Sequence, residues 1–219
     1  MKKLWAKSVL AAAVVLFCSA SLLAQEQRGS SGRLVPRFGI KGGLNLTNMF
    51  VDDISDENMK VGWHAGVTAK LPVFTGFSIQ PELMYSNKGA KQNYDNFIAG
   101  EGEYRFNLHY IEMPVLAVVN IGRYFNIHAG PYIAYLVDVN IKDLDDDGTI
   151  TEIADLDAED FNRFDWGVAA GIGVDIKSFT IGARYSYGFQ EIGDDGNFSG
   201  AVTKDSRNSA IQFYIGFGF

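Results

Sequence analysis

Two groups of residues in this sequence have the types and spacing to do chemistry. The first is the acidic run Asp143-Leu144-Asp145-Asp146-Asp147-Gly148-Thr149-Ile150-Thr151. It matches the first nine positions of a calcium loop, with acids at the first, third and fifth, Gly at the sixth and Ile at the eighth. The spacing is geometric: a tight turn at Gly148 wraps alternate side-chain oxygens and one carbonyl around a hard cation. Asp143, Asp145, Asp147 and Thr149 would be the ligands. Ala154, however, stands at the twelfth position, where a bidentate acid is needed. The expected reading is therefore a solvated acidic loop with no cofactor, since Asp143 to Asp160 carries nine carboxylates and no base; weakly bound calcium in the 140–162 loop is the alternative.

The second group is a set of charges placed among apolar residues: Glu82, Glu112 and Arg184, with Lys41, Lys70 and Asp165 as further members. Each stands on the polar side of an alternating segment. In a narrow interior such charges must pair or hydrate to offset desolvation. A structural ion-pair plug is the expected reading, with a gated proton or ion path as the alternative. His64, His109 and His128 are the only candidate bases, and none aligns with a nucleophile and an acid on one stripe. A hydrogen-bonded filler is therefore the expectation for each, and no catalytic residue is assigned.

The elements that must position these residues are strands. Apolar and polar residues alternate with period two over about 37–46, 61–71, 76–87, 104–119, 124–139, 163–176, 179–189 and the final segment ending at Phe219. Val61, Trp63, Ala65, Val67, Ala69 and Leu71 fall on one face of the second segment, with His64, Thr68 and Lys70 on the other. The fourth segment puts Tyr104, Phe106, Leu108 and Tyr110 in one phase, then Ile111, Met113, Val115 and Ala117 in the other. That slip predicts a bulge near Tyr110-Ile111. Short connections (72–75, 120–123, 177–178) alternate with long ones (47–60, 88–103, 140–162, 190–207). The pattern predicts an all-β fold, an eight-stranded antiparallel up-and-down transmembrane β-barrel over 37–219. A lipocalin-like soluble barrel would reverse the faces, and the small inward residues argue against its ligand cavity.

Both ends of the sequence agree. Residues 1–24 read as a signal peptide: Lys2, Lys3 and Lys7, an apolar core from Val9 to Phe17, and a cleavage site before Gln25. Residues 25–36 read as a flexible segment. Ile211, Phe213, Ile215, Phe217 and Phe219 share one face of the last strand, and a terminal Phe resembles an assembly signal for outer-membrane barrels. Cys18 is the one cysteine, so no disulfide is expected in the mature chain. The formal net charge of −7 speaks against nucleic acid as a partner.

Four segments in order carry a family resemblance: Phe38-Gly39-Ile40-Lys41-Gly42-Gly43-Leu44-Asn45-Leu46, Gln80-Pro81-Glu82-Leu83-Met84-Tyr85-Ser86, Tyr110-Ile111-Glu112-Met113-Pro114 and Arg184-Tyr185-Ser186-Tyr187-Gly188. Together they resemble the "porin family" outer-membrane β-barrel domain common in Bacteroidota. The resemblance implies an eight-stranded barrel in the bacterial outer membrane. Short turns inside and long loops outside put both barrel termini in the periplasm, and the expected partners are outer-membrane lipids, lipopolysaccharide and, during insertion, the barrel-assembly machinery. The resemblance says little about activity. The expected function is non-enzymatic, a structural or surface-interaction role through long extracellular loops. The alternatives are a narrow channel for ions or small solutes, or an accessory barrel of a larger secretion or uptake assembly.

Overall fold

A computed structural model describes residues 34–50, 59–96, 100–145, 150–155, 162–191 and 207–219, with side chains over 34–47, 59–89, 107–140, 162–190 and 207–219. The leader expected over 1–24 and most of the 25–36 segment lie outside the described residues.

Alternation with period two becomes nine strands: β1 (Arg37–Phe50), β2 (Lys60–Phe74), β3 (Phe77–Asn96), β4 (Gly100–Ile121), β5 (Phe125–Asp145), β6 (Ile150–Asp155), β7 (Phe164–Ile176), β8 (Phe179–Glu191) and β9 (Arg207–Gly218). Eight of them close a ring in which each strand is antiparallel to its neighbours. β1 pairs with β2 and β9, β4 pairs with β5, and β5 pairs with β7. β6 stays outside the ring, pairing with Asn140–Leu144 of β5 beyond the point where β7 leaves that strand. Closure matters because an open edge would leave backbone groups unpaired in lipid.

The tight turns at 75–76, 122–124 and 177–178 gather at one end of the barrel, here called the turn end. Gly76 (φ 86°) and Gly122 (φ 66°) supply the left-handed conformation that such turns require, and Lys177 (φ 56°) adopts it without being glycine.

The two faces are sorted opposite to a soluble protein. Ile40, Leu44, Trp63, Val115, Ile127, Val168, Ile172, Ile181, Phe213 and Ile215 are exposed on the outside, while Lys41, Asn45, His64, Glu82, Glu112, Asp165, Arg184 and Gln212 are buried inside. Such a surface is stable only against lipid. Aromatic pairs mark both rims of the apolar band. Phe74 stacks on Phe77 (4.9 Å) and Phe179 meets Phe217 (5.1 Å) at the turn end, while Trp63 meets Tyr85 (5.3 Å) and Trp166 meets Phe189 (5.0 Å) toward the other.

Two expectations are corrected here. Leu108 and Tyr110 do not face outward; both are buried, in phase with Glu112. β4 therefore keeps one phase, and the irregularity lies on its partner. His109 pairs with Asp138 but Tyr110 with Leu136, so Val137 of β5 is the extra residue. The reason is physical: Leu108 and Tyr110 join Leu116, Val118, Tyr132, Leu136 and Val139 in an apolar cluster inside the barrel. In that stretch hydrophobicity no longer distinguishes the lipid face. The same correction moves His109 off the lumen; its ring meets Tyr85 Oη at 3.0 Å and the Asn87 amide. The second correction concerns loop length. β3, β4 and β5 run well past their expected ends, so the connection after β3 is 97–99 rather than 88–103, and β6 occupies part of 140–162.

The coiling of the small barrel brings strands too close for side chains at some positions. A Cβ on Gly43 would sit 1.8 Å from the Phe213 carbonyl oxygen and 2.8 Å from Tyr214 Cα. Gly43→Val should destabilise the folded barrel by roughly 1–3 kcal/mol or more. The check is the unfolding midpoint of the fast-migrating, unboiled band on a gel; an unshifted midpoint would contradict the close approach of β1 and β9.

Candidate functional site

Side chains from three strands of the barrel converge on one carboxylate. Glu82 projects inward from β3, Arg184 from β8 and Lys41 from β1. Arg184 donates Nη1 to Glu82 Oε2 (2.7 Å) and Nη2 to Glu82 Oε1 (2.9 Å). Lys41 Nζ donates to the same carboxylate at 3.1 Å, and Gln80 Nε2 adds a bond of 2.8 Å. The three charged side chains are only 0–4% exposed. Lys41 also lies over the Tyr214 ring, 3.6 Å from its centroid. Two cations thus share one carboxylate. A bidentate guanidinium is the strong form of such a pair, and several donors per oxygen are what offset burial.

Glycines make the space for this packing. A Cβ on Gly171 would meet His128 Nε2 at 2.6 Å, on Gly173 the Asn126 amide at 2.9 Å, and on Gly182 the Tyr214 hydroxyl at 2.4 Å. The row of inward glycines on β7 and β8 is room for large polar residues of the facing strands. His128 is held on both nitrogens. Arg184 Nε can only donate, so His128 Nε2 accepts (3.4 Å) and Nδ1 donates to Asn126 Oδ1 (3.1 Å). Its lone pair is occupied, so it is no free base. His64 Nδ1 lies 2.7 Å from Asn45 Oδ1, itself part of a bond chain to Ser86.

A second set lies toward the end opposite the turns. Lys88 of β3 pairs with Glu112 of β4, both buried, and its ammonium stands 5.1 Å from the Tyr132 ring centroid and 5.7 Å from that of Tyr110. Asp165 of β7 accepts from Tyr132 Oη (3.2 Å) and Asn208 Nδ2 (3.1 Å). Here one cation stands among two carboxylates, the reverse of the Glu82 set.

The predicted cluster is therefore divided. Lys41, Glu82 and Arg184 come together, as their shared inward phase implied. Glu112 pairs with Lys88 instead of Arg184. Lys70 lies apart at the turn end, donating to Asp175 Oδ2 (3.2 Å) and Asn120 Oδ1 (3.0 Å). Lys88 was missed because the third strand was expected to end near residue 87, which left it in a loop; even parity with Glu82 and Ser86 is the signal that places it inside. Asp143 and Asp145 stand in the far part of β5, where Asp143 pairs with Glu152 of β6. Asp147, Gly148 and Thr149 lie outside the described residues, and with them the turn of the candidate calcium loop. Phe219 is exposed at the turn end, its backbone N–H donating to the Phe38 carbonyl at 2.8 Å.

A closed antiparallel barrel, apolar outside and charged within, defines a membrane-spanning β-barrel protein. The chain belongs to the outer membrane protein beta-barrel domain family, whose model matches residues 23–193, and its location is the bacterial outer membrane. No curated protein matches the sequence. Among solved structures it is similar to Ail, the attachment invasion locus protein of Yersinia pestis, at 12% identity over 84% of this chain and 99% of that one, with a TM-score of 0.47. Neisserial surface protein A is similar at 11% identity over 84% and 97% of the two chains, TM-score 0.46. A major outer membrane protein from Thermus thermophilus is similar at 10% identity over 84% and 99%, TM-score 0.46.

The division of the cluster is testable. Lys88→Met leaves Glu112 and Asp165 buried together without a cation, and should lower stability by about 3–5 kcal/mol, less where water reaches them. Lys70→Met, at a partly hydrated pair, should change it by no more than about 1 kcal/mol. Denaturant midpoints of the two variants folded in detergent give the comparison; equal effects would contradict the assignment.

Proposed function

We propose that this protein is a non-enzymatic outer-membrane barrel with a sealed lumen. Its work is done at the surface by the extended hairpins and long connections opposite the tight turns. In this reading those connections face outward, and the turn end with both barrel termini faces the periplasm, the usual arrangement of short turns and long loops. The observation that carries it is the Glu82 carboxylate, saturated by Arg184, Lys41 and Gln80 and buried across the barrel interior. An eight-stranded barrel has room inside for little more than its own side chains, and here those side chains are fixed to one another.

The partners that fit are the lipid around the exposed apolar band and surface molecules that meet the long connections. The charge of those connections is acidic in sequence: Asp52, Asp53, Asp56 and Glu57 after β1, and nine carboxylates between Asp143 and Asp160. Divalent cations shared with anionic lipopolysaccharide are the contact chemistry such a surface offers. The narrow-channel reading requires the Glu82 set to come apart, and nothing in its geometry favours that state.

Reconstitution into planar bilayers tests the proposal. The protein should show no steady conductance, whereas Glu82→Ala with Arg184→Ala, which removes the bidentate pair, should conduct small ions in the same bilayers. Regular single-channel openings of the unaltered protein would overturn the sealed-lumen reading in favour of a channel.

A further inference from the structure

The seal stands partway along the lumen and leaves a cavity of about 440 Å³ open at the turn end. Its inner end is Lys41, His128 and Tyr214; its walls include Gln80, Asn126 and Thr180; its mouth carries Arg37, Lys70 and Lys177. Charges around this space are unequal. Four side-chain cations line it, Arg37, Lys41, Lys70 and Lys177, against the side-chain carboxylate of Asp175 and the terminal carboxylate of Phe219. The Asp175 carboxylate is already committed. Its Oδ2 accepts from Lys70 (3.2 Å) and Asn126 (3.1 Å), and its Oδ1 from Thr180 Oγ1 (2.7 Å).

The inner end is also electropositive for a reason independent of the mouth. Lys41 and Arg184 both pair with the Glu82 carboxylate, so two basic side chains share one acid at the inner end. Of its members, Lys41 lines the cavity, while the Glu82 carboxylate stands behind it, joined to Arg184. An excess of basic side chains beside a hydrated space of low dielectric walls focuses potential into that space and draws in a counter-ion.

We propose that the turn-end cavity is a binding site for a small free oxyanion of phosphate or carboxylate type, held by Lys41 at its inner end and admitted past Arg37, Lys70 and Lys177. Hydroxyl groups of Thr68, Ser178 and Tyr214 in the lining supply further donors. That the anion comes from the periplasm rests on the orientation given under the proposed function; the binding itself does not.

The test uses the full-length protein folded in detergent, where either end is accessible, so a failed orientation would leave the result unchanged. Inorganic phosphate is titrated calorimetrically at constant ionic strength. Saturable binding at one site is expected. Lys41→Met keeps the Glu82–Arg184 pair and removes the amine at the inner end, and should weaken binding at least tenfold. Gly216→Leu is the second variant and alters no charge. A Cβ there meets nothing nearer than 3.6 Å, so the side chain can enter the cavity without straining the backbone. It should abolish binding while the heat-modifiable band persists. Arg123→Met, outside this cavity, should leave binding unchanged. Absence of saturable binding, or phosphate affinity unaltered in both Lys41→Met and Gly216→Leu, would overturn the proposal. Binding seen only with short-chain phosphatidylglycerol, and lost in Arg123→Met, would overturn it in favour of a lipid headgroup contact at the rim.

Discussion

The rest of this structure depends on one constraint: a closed barrel in lipid sends every second side chain into a narrow space walled off from bulk water on its sides. Polar residues must be there, because the apolar ones are required outside, and the charged ones among them must find partners across the barrel. Glu82 answers that constraint by taking donors from two other strands and its own at once, through Arg184, Lys41 and the neighbouring Gln80. Its removal would leave two cations facing each other at the barrel's centre. The glycines of β7 and β8 belong to the same solution, since they yield the volume that His128, Asn126 and Tyr214 occupy.

Period-two alternation made most of the fold legible in the sequence. β1, β2, β7, β8 and β9 present the faces that Ile40 and Lys41, Trp63 and His64, Trp166 and Asp165, or Phe213 and Gln212 imply. Alternation failed where the physical contrast behind it fails. Leu108 and Tyr110 are apolar and yet inside, because the lumen there is lined by an apolar cluster rather than by charge. Hydrophobicity then marks burial in the barrel as readily as contact with lipid, and only the parity of Glu112 carries the phase. The strands also extend as hairpins past the apolar band, where polar sequence resembles a loop; that hid Lys88 and left Glu112 without its partner.

Of the candidate site, the shared inward phase of Lys41, Glu82 and Arg184 was readable, but their distances were not. Inward phase fixes a direction and leaves height along the barrel undetermined. Lys70 has the same phase as Glu82's partners and lies at the turn end with Asp175. Height is also what divides the lumen by charge: two cations to one carboxylate around Glu82, one cation to two carboxylates around Lys88, and a cationic mouth at the turns. The paired charges around Glu82 and the cavity below them meet at Lys41, which bonds to Glu82 and lines the cavity.

A double-mutant cycle on Glu82 and Arg184 tests the central claim most directly. Glu82→Gln, Arg184→Gln and the double variant are unfolded by denaturant from the same detergent, and the coupling free energy is taken from the three differences. A bidentate, buried pair predicts a favourable coupling of at least about 1.5 kcal/mol, with the double variant more stable than the sum of the single changes implies. Strict additivity would contradict the account, because it would mean that Glu82 and Arg184 do not depend on each other inside the barrel.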